Sequence, residues 1–151
     1  MTDEPRVLAG EIRIPYKWTA GNVIGTFLAT LRDEKKILGA RCPECGKVWS
    51  PPLDACPVCH ADIALADLVP VGPAGRVTSF TRIEAEVWGR PADPPYALAA
   101  VRLDGSDTDL IHLVLEPGTI EKLAAGMRVR ARISQARKGT LLDILYFHEE
   151  T

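Results

Sequence analysis

Cys42, Cys45, Cys56 and Cys59 are the only cysteines in the chain, and they stand as two C-x-x-C pairs separated by ten residues. A pair spaced in this way can place two thiolates on one edge of a metal ion, and two pairs close a tetrahedron, the geometry Zn²⁺ prefers. Pro43 and Pro57 stiffen the two turns. The residue after the second cysteine of such a turn often needs a positive φ. Gly46 suits that position, and His60 belongs to a type that tolerates it. Two disulfides are the chief alternative, and they need an oxidising compartment. Redox chemistry needs only one pair and leaves the other unexplained.

Four thiolates leave no open coordination position, so a zinc held by them is structural rather than catalytic. His60 could replace Cys59 as a ligand, but it stands beside a better-spaced cysteine. With every thiol committed to metal, none remains as a nucleophile. His60, His112 and His148 lie far apart in sequence. His112 sits in an apolar strand pattern, where a satisfied histidine is commoner than a catalytic base. There is no Gly-x-Ser-x-Gly elbow and no phosphate-cradling glycine loop.

The elements that must carry these residues follow from periodicity. Residues 1–17, with Pro5 and Pro15, read as an extended arm available to lie on a partner. From about Thr19, Val23, Ile24, Phe27, Leu28 and Leu31 form an apolar stripe at helical spacing. That stripe suits either packing on its own domain or docking on another subunit. Arg32 to Lys36 would be its solvated end. Ile37 to Arg41 and Lys47 to Trp49 read as ribbon strands, and residues 61–74 as a connector. The period then changes to two. Strands are expected over Arg76–Val87, Tyr96–Asp104, Leu110–Leu115, Arg128–Ala136 and Leu141–Phe147. A short helix is expected over Thr119–Gly126, with Gly126 as its stop. On the first of these strands, Val77, Thr81 and Ile83 should share one face, and Thr78, Phe80 and Arg82 the other. Three strands, a helix and two strands is the order of an OB barrel. The expected class is therefore mainly β with an N-terminal helix, a zinc ribbon being followed by a five-stranded OB-fold barrel. The expected divisions are an arm and helix over 1–36, the ribbon over 37–66 and the barrel over 67–151.

The chain of 151 residues has a net charge of −2, which disfavours a protein living on nonspecific phosphate contacts. Residues 42–74 are acidic, with Lys47 against Glu44, Asp54, Asp62 and Asp67. Residues 128–138 hold Arg128, Arg130, Arg132, Arg137 and Lys138 and no acid. No apolar run is long enough to cross a bilayer, and the acidic opening lacks the apolar stretch of a signal peptide. The expected compartment is the cytoplasm, where thiols stay reduced.

The whole arrangement resembles the thiolase-associated family that joins a rubredoxin-like zinc ribbon to an OB fold, long known only as a domain of unknown function. The resemblance covers about residues 16–148. It rests on Trp18, Gly21 and Phe27, on Leu38-Gly39-Ala40-Arg41-Cys42-Pro43-Glu44-Cys45-Gly46, and on Pro51-Pro52 before Cys56-Pro57-Val58-Cys59. It continues through Gly75-Arg76-Val77-Thr78-Ser79-Phe80-Thr81, Pro95-Tyr96-Ala97-Leu98 and Leu103-Asp104-Gly105. The resemblance implies a non-catalytic zinc subunit that joins a thiolase-fold enzyme and helps to hold a coenzyme A thioester or organise the complex. One similar class is the small zinc subunit of the thiolase that cleaves 2-benzoylsuccinyl-CoA. Others accompany sterol side-chain aldolases and archaeal acyl-CoA thiolases.

Coenzyme A calls for Arg or Lys near its phosphates and a flat surface for its base. Arg76, Phe80 and Arg82, expected together on one strand face, and Lys47 and Trp49 beside the ribbon could supply these. Arg128, Arg130 and Arg132 could too, although alternating arginines commonly mark a solvated sheet face. The rival reading is single-stranded nucleic-acid binding, which OB folds and ribbons both perform with basic grooves and stacking aromatics. An aromatic content of 6% and an acidic ribbon stand against it.

Overall fold

A computed structural model describes residues 10–86 and 88–150. Residues 1–9 of the expected arm and Val87, the expected end of the first barrel strand, lie outside the described residues. Helix α1 spans Asn22–Glu34. It begins after Gly21, whose φ of 73° turns the chain, and ends at Lys35 in the left-handed region, φ 58°. Val23, Phe27 and Leu31 are buried at four-residue intervals. Phe27 and Leu31 join Ile37, Leu38, Val48 and Val71 in the main core. The helix thus covers its own chain rather than waiting for another subunit, and burying each of these two side chains is worth roughly 1.5–3 kcal/mol.

The ribbon sheet has the order β2-β1-β3, with β1 over Ile37–Arg41, β2 over Val48–Trp49 and β3 over Leu68–Val71. The stretch expected to be a connector therefore contains a strand, paired antiparallel with β1 from Ile37↔Val71 to Ala40↔Leu68. Pro70 and Gly72-Pro73 read as breakers, but β3 is an edge strand and one flank needs no donors. At the centre, a Cβ on Gly39 would stand 2.8 Å from Val48 Cγ1 and 3.1 Å from the Trp49 carbonyl oxygen. Only glycine lets β2 and β3 close on β1 there.

The barrel strands are β4 Ala74–Ile83, β5 Tyr96–Leu103, β6 Asp109–Val114, β7 Arg128–Ile133 and β8 Ile144–Glu149. They form one antiparallel sheet in the order β6-β5-β4-β7-β8, with α2, Pro117–Lys122, between β6 and β7. The end strands β6 and β8 approach each other, which curls the sheet into the expected OB barrel. Its core, from Val77, Ala97, Ala99, Val101 and Leu103 to Val129, Ile144 and Phe147, is continuous with the helix and ribbon residues named above. No described helix is long and apolar enough to cross a membrane.

Several boundaries differ from expectation. The strand β4 ends at Ile83, α2 ends at Lys122, and Leu141–Asp143 is a 3-10 turn ahead of β8. The larger correction concerns faces. The register of β4 on β5 shifts between Val77 and Ser79, a β-bulge at Thr78. Val77 pairs with buried Val101, but beyond the bulge Thr81 pairs with Leu98, on the outer face, and Phe80 and Arg82 pair with Ala99 and Ala97, on the inner one. Val77 and Thr81 therefore lie on opposite faces. An extra residue in one strand reverses its alternation. A Cβ on Gly75 would collide with the Arg102 carbonyl and stand 2.9 Å from Leu103 Cα, so this glycine fixes how closely β5 approaches.

Two polar clasps join the parts. In the turn after β5, the Asp107 N–H donates to the Val48 carbonyl at 2.9 Å, and the Val48 N–H donates to Asp107 Oδ2 at 2.8 Å. The Thr108 hydroxyl receives the Ser50 N–H at 2.8 Å and donates to the Ser50 carbonyl at 3.0 Å. This turn binds the ribbon to the barrel. In the β7–β8 loop, buried Asp143 accepts the N–H groups of Lys138, Gly139 and Thr140 at 2.9, 2.7 and 3.3 Å. Next to it, Arg137 donates to the Arg32 carbonyl and ties the loop to the end of α1.

Burial opposes ionisation of Asp143, but the three backbone donors outweigh it and hold the carboxyl below the usual aspartate range. A depressed folded pKa stabilises fully above the unfolded value of about 3.9, and the benefit is lost as pH falls through the lower folded value. Asp143→Ala should cost about 2–4 kcal/mol at neutral pH. In urea titrations across pH, the gap between wild type and Asp143→Asn should narrow below about pH 4.

Candidate metal centre

Both C-x-x-C pairs fold into the same turn. The Cys42 N–H bonds to the Lys47 carbonyl at 2.8 Å, and the Gly46 N–H returns to the Cys42 carbonyl at 3.0 Å. The second pair repeats this, with Cys56 N–H to Ala61 at 2.9 Å and His60 N–H to Cys56 at 2.9 Å. Gly46 and His60 both take positive φ, 73° and 62°. The first turn hangs between β1 and β2. The second is closed by an isolated bridge, Ala55↔Asp62. Cys42 and Cys56 are buried beside Ala40 and Ile63, while Cys45 and Cys59 face solvent.

All four Sγ atoms lie within 4.8 Å of one another. Cys42 Sγ is 3.4 Å from Cys59 Sγ, and Cys45 Sγ is 3.6 Å from Cys56 Sγ. A Zn–S bond of about 2.3 Å puts neighbouring sulfurs of a tetrahedron about 3.8 Å apart, so the donor set fits zinc. The Cys45 N–H approaches Cys42 Sγ at 3.5 Å and helps to stabilise charge on sulfur. The protons are unevenly held. Burial opposes ionisation of Cys56, but the Cys59 and Val58 N–H groups and the neighbouring thiols bring it down to about 6. The Ala61 N–H favours the Cys59 thiolate, yet the Cys42 thiol, burial and Cys56 push it up to about 12. Crowded thiols ionise together only around a cation, which zinc supplies as a structural ion with no catalytic position left open.

The five residues expected to meet coenzyme A do not converge. Arg76 lies on the outer sheet face, paired across strands with Arg102 and Arg128. It donates to the Gly126 carbonyl at 3.1 Å and lines a cleft of about 460 Å³ with Thr78, Arg102, Asp104 and Ser106. Phe80 and Arg82, beyond the bulge, lie on the other face. There the Arg82 guanidinium sits 5.7 Å over the Phe80 ring and donates to the Glu121 carbonyl at 3.1 Å. Their expected grouping with Arg76 on one face is therefore corrected. Lys47 is exposed on the first metal turn, and half-buried Trp49 packs on the small ribbon core; neither lines the cleft. Sequence reasoning missed Arg102, although the alternation Leu98, Ala100, Arg102 carried its signal.

The β7 arginines are largely neutralised. Arg128 pairs with Asp104 at 2.7 Å and Glu150 at 2.7 Å, and Arg130 pairs with Glu150 at 2.6 Å. Hydrogen bonds that Arg128 donates to Asp104 and Glu150 raise it further above its already high range.

The purified, reduced chain should hold one equivalent of zinc by elemental analysis. Cys42→Ser or Cys56→Ser should release the metal and remove amide-exchange protection from Val48, Trp49 and Ile63, because these two cysteines are also core residues. A metal content far below one equivalent in wild type would count against the site.

Two family models match the chain and together cover more than half of it. The ChsH2 rubredoxin-like zinc ribbon domain matches residues 30–65, and the ChsH2 C-terminal OB-fold domain matches residues 68–134. No curated protein matches. Among solved structures, a chain of the "Ltp2-ChsH2(DUF35) aldolase" is 25% identical, with a TM-score of 0.57 over 81% of this chain and 92% of that one. A DUF35-family protein of unknown function from Sulfolobus solfataricus is 22% identical, with a TM-score of 0.55 over 70% of this chain and 74% of that one, and shares the fold. In element order, cysteine turns and barrel topology, this chain belongs to the ChsH2-type family of zinc-ribbon and OB-fold proteins.

Proposed function

We propose that this chain is a non-catalytic, zinc-stabilised subunit of a thiolase- or aldolase-type acyl-CoA complex, and that a separate thiolase-fold subunit carries out the carbon–carbon bond chemistry. Assembly in the cytoplasm would keep the four thiols reduced. The observation that carries this reading is that every sulfur nucleophile of the chain lies in the four-cysteine cluster. Similarity over 81% of its length to a chain of the Ltp2–ChsH2 aldolase supports the same role. The histidines offer no substitute. Buried His112 accepts the Leu113 N–H through Nδ1 at 2.7 Å and faces the Leu141 carbonyl through Nε2 at 3.4 Å. Burial lowers its pKa. The His60 backbone closes a metal turn and its ring is exposed, outside the Arg76 cleft, and His148 Nδ1 lies 3.0 Å from the Glu149 carbonyl.

Within this reading the subunit also touches coenzyme A. Arg76 is the best-supported contact, because its neighbour Arg102 is paired with Asp109 and Arg128 with Asp104 and Glu150. Among the described residues Arg76 has no carboxylate at ion-pair distance, and its cleft is within the size range of small-molecule sites. Phe80 with Arg82, and Lys47 with Trp49, are further candidates on separate surfaces. Single-stranded nucleic acid is disfavoured by the pairing of Arg128 and Arg130 and by the net charge of −2.

The isolated chain should show no thiolytic or aldol-cleaving turnover with acyl-CoA substrates, and activity should appear only with the enzyme subunit. Turnover by the zinc-loaded chain alone would overturn the accessory role. In calorimetry of the complex, Arg76→Ala should weaken coenzyme A binding about tenfold, the usual scale for one charge-assisted contact. Binding of single-stranded DNA should stay weak at moderate salt.

A further inference from the structure

The segment before α1 has two chemical faces. Ile12, Ile14, Tyr16 and Trp18 alternate with Glu11, Arg13, Pro15 and Lys17. Those four apolar side chains are 89%, 72%, 72% and 77% exposed. Side chains two residues apart meet, as they do along an extended chain. The Tyr16 and Trp18 rings are 5.1 Å apart on one side, and Arg13 pairs with Glu11 at 2.8 Å on the other. Residues 10–21 belong to no helix or strand, and Gly21 then turns the chain into α1.

In an extended strand the backbone alternates together with the side chains, so the N–H and C=O groups of Ile12, Ile14, Tyr16 and Trp18 all point to one edge. Pro15 falls in the other set. Its missing N–H leaves the opposite edge broken, the device that keeps an edge strand from recruiting a further strand. One edge is complete and its side chains are apolar. The other is interrupted and its side chains are charged. Free in water, this arrangement leaves two large aromatic and two β-branched side chains uncovered by the other described residues. Added to a sheet, it fills both of its valences.

We propose that residues 11–18 dock as an added edge strand on a sheet of the enzyme subunit, with the Ile12–Ile14–Tyr16–Trp18 face packed on that subunit's apolar surface; this rests on the accessory-subunit reading above. A second copy of this chain is a poor host. Its β2 has two residues, its β3 carries Pro70, and its β6 and β8 face each other. The free half of β4 runs beside α2, to whose Glu121 carbonyl Arg82 is bonded. The host sheet therefore belongs to a different polypeptide, one with an open edge beside an apolar strip. Strand addition of this kind draws affinity from the backbone and selectivity from alternate side chains, and Tyr and Trp are the side chains most often dominant in such contacts.

The test is amide hydrogen exchange on the full-length zinc-loaded chain, alone and in complex with its thiolase-type enzyme subunit. In the complex the amides of Ile12, Ile14, Tyr16 and Trp18 should be protected while those of Glu11, Arg13 and Lys17 exchange freely. Ile12→Pro, measured against Ile12→Ala, should weaken the complex about 10- to 100-fold beyond the side-chain effect, whereas Arg13→Pro should stay within about twofold. These residues lie outside the core, so the variants keep the fold. A complex that forms with the whole arm unprotected, or with Ile12→Pro and Arg13→Pro equally weakened, overturns the strand addition and leaves the accessory role standing. Protection of the arm in the isolated chain at twice its monomer mass also overturns it, in favour of a second copy. If wild type forms no complex, both readings fail.

Discussion

Four sulfur atoms within 4.8 Å of one another cannot all be anions unless a cation lies among them. The ribbon depends on this constraint because it has little else. Its own fully buried residues are Ala40, Cys42, Cys56 and Ile63, so two of those four are the ligands themselves, with Trp49, Ala61 and Leu68 only partly buried around them. A strand pair as short as β2 on β1 cannot persist by hydrogen bonding alone. Metal binding therefore supplies the folding energy that a larger domain would draw from burial. The prolines and Gly46 cut the cost of bringing the sulfurs together, whereas His60 takes its φ of 62° at a cost that the metal site must offset.

The effect of the metal does not stop at the ribbon. The strand β1 lies between β2 and β3, and its residues Ile37 and Leu38 continue into the barrel core. Asp107 and Thr108 clamp the backbone of Val48 and Ser50 to the barrel through four hydrogen bonds. Loss of the ion would free β2 and leave Asp107 without a backbone partner, at the junction that sets the ribbon against the sheet. The two units share one interior. For a chain whose proposed work is to stand beside an enzyme, a fixed shape at this junction matters more than any reactive group.

How much of this was readable beforehand varied with the kind of signal. The cysteine spacing revealed the metal turns because ligand geometry is local and admits few alternatives. The order of strands and helix revealed the barrel because alternation survives wherever one face is buried, as in Val129 and Ala131 of β7. The bulge at Thr78 was hard to read because threonine and serine fit either face of a strand; the only local sign is the doubled polar pair Thr78-Ser79, and pairing with β5 exposes the reversed phase. Pro70 concealed β3, since a proline rules out a central strand but not an edge one. Sequence reasoning missed Asp143, although its three amide donors stand only three to five residues before it and Thr140 to Asp143 has the spacing of a capping box. Arg128 and Arg130 of β7 read as free charge because their partners, Asp104 and Glu150, stand just past the ends of β5 and β8, some 20 or more residues away in sequence.

That last point bears on what the barrel surface can attract. Arg102, Arg76 and Arg128 stand at one rung across three strands, where like charges about 5 Å apart would repel. Asp109 offsets Arg102, and Asp104 and Glu150 offset Arg128. These are part-exposed pairs, individually worth little in stability. Their effect is on the shape of the field. Along this rung they interrupt the positive stripe that a polyanion would follow and leave Arg76 as the arginine without a carboxylate at ion-pair distance among the described residues, in the cleft it lines with Asp104, Ser106 and Thr78. A stripe of uncompensated arginines would favour any nucleic acid. A single arginine without a close carboxylate, at the mouth of a cleft, suits one phosphate group of a ligand whose remaining contacts lie elsewhere, as the proposed coenzyme A thioester shared between two subunits would require.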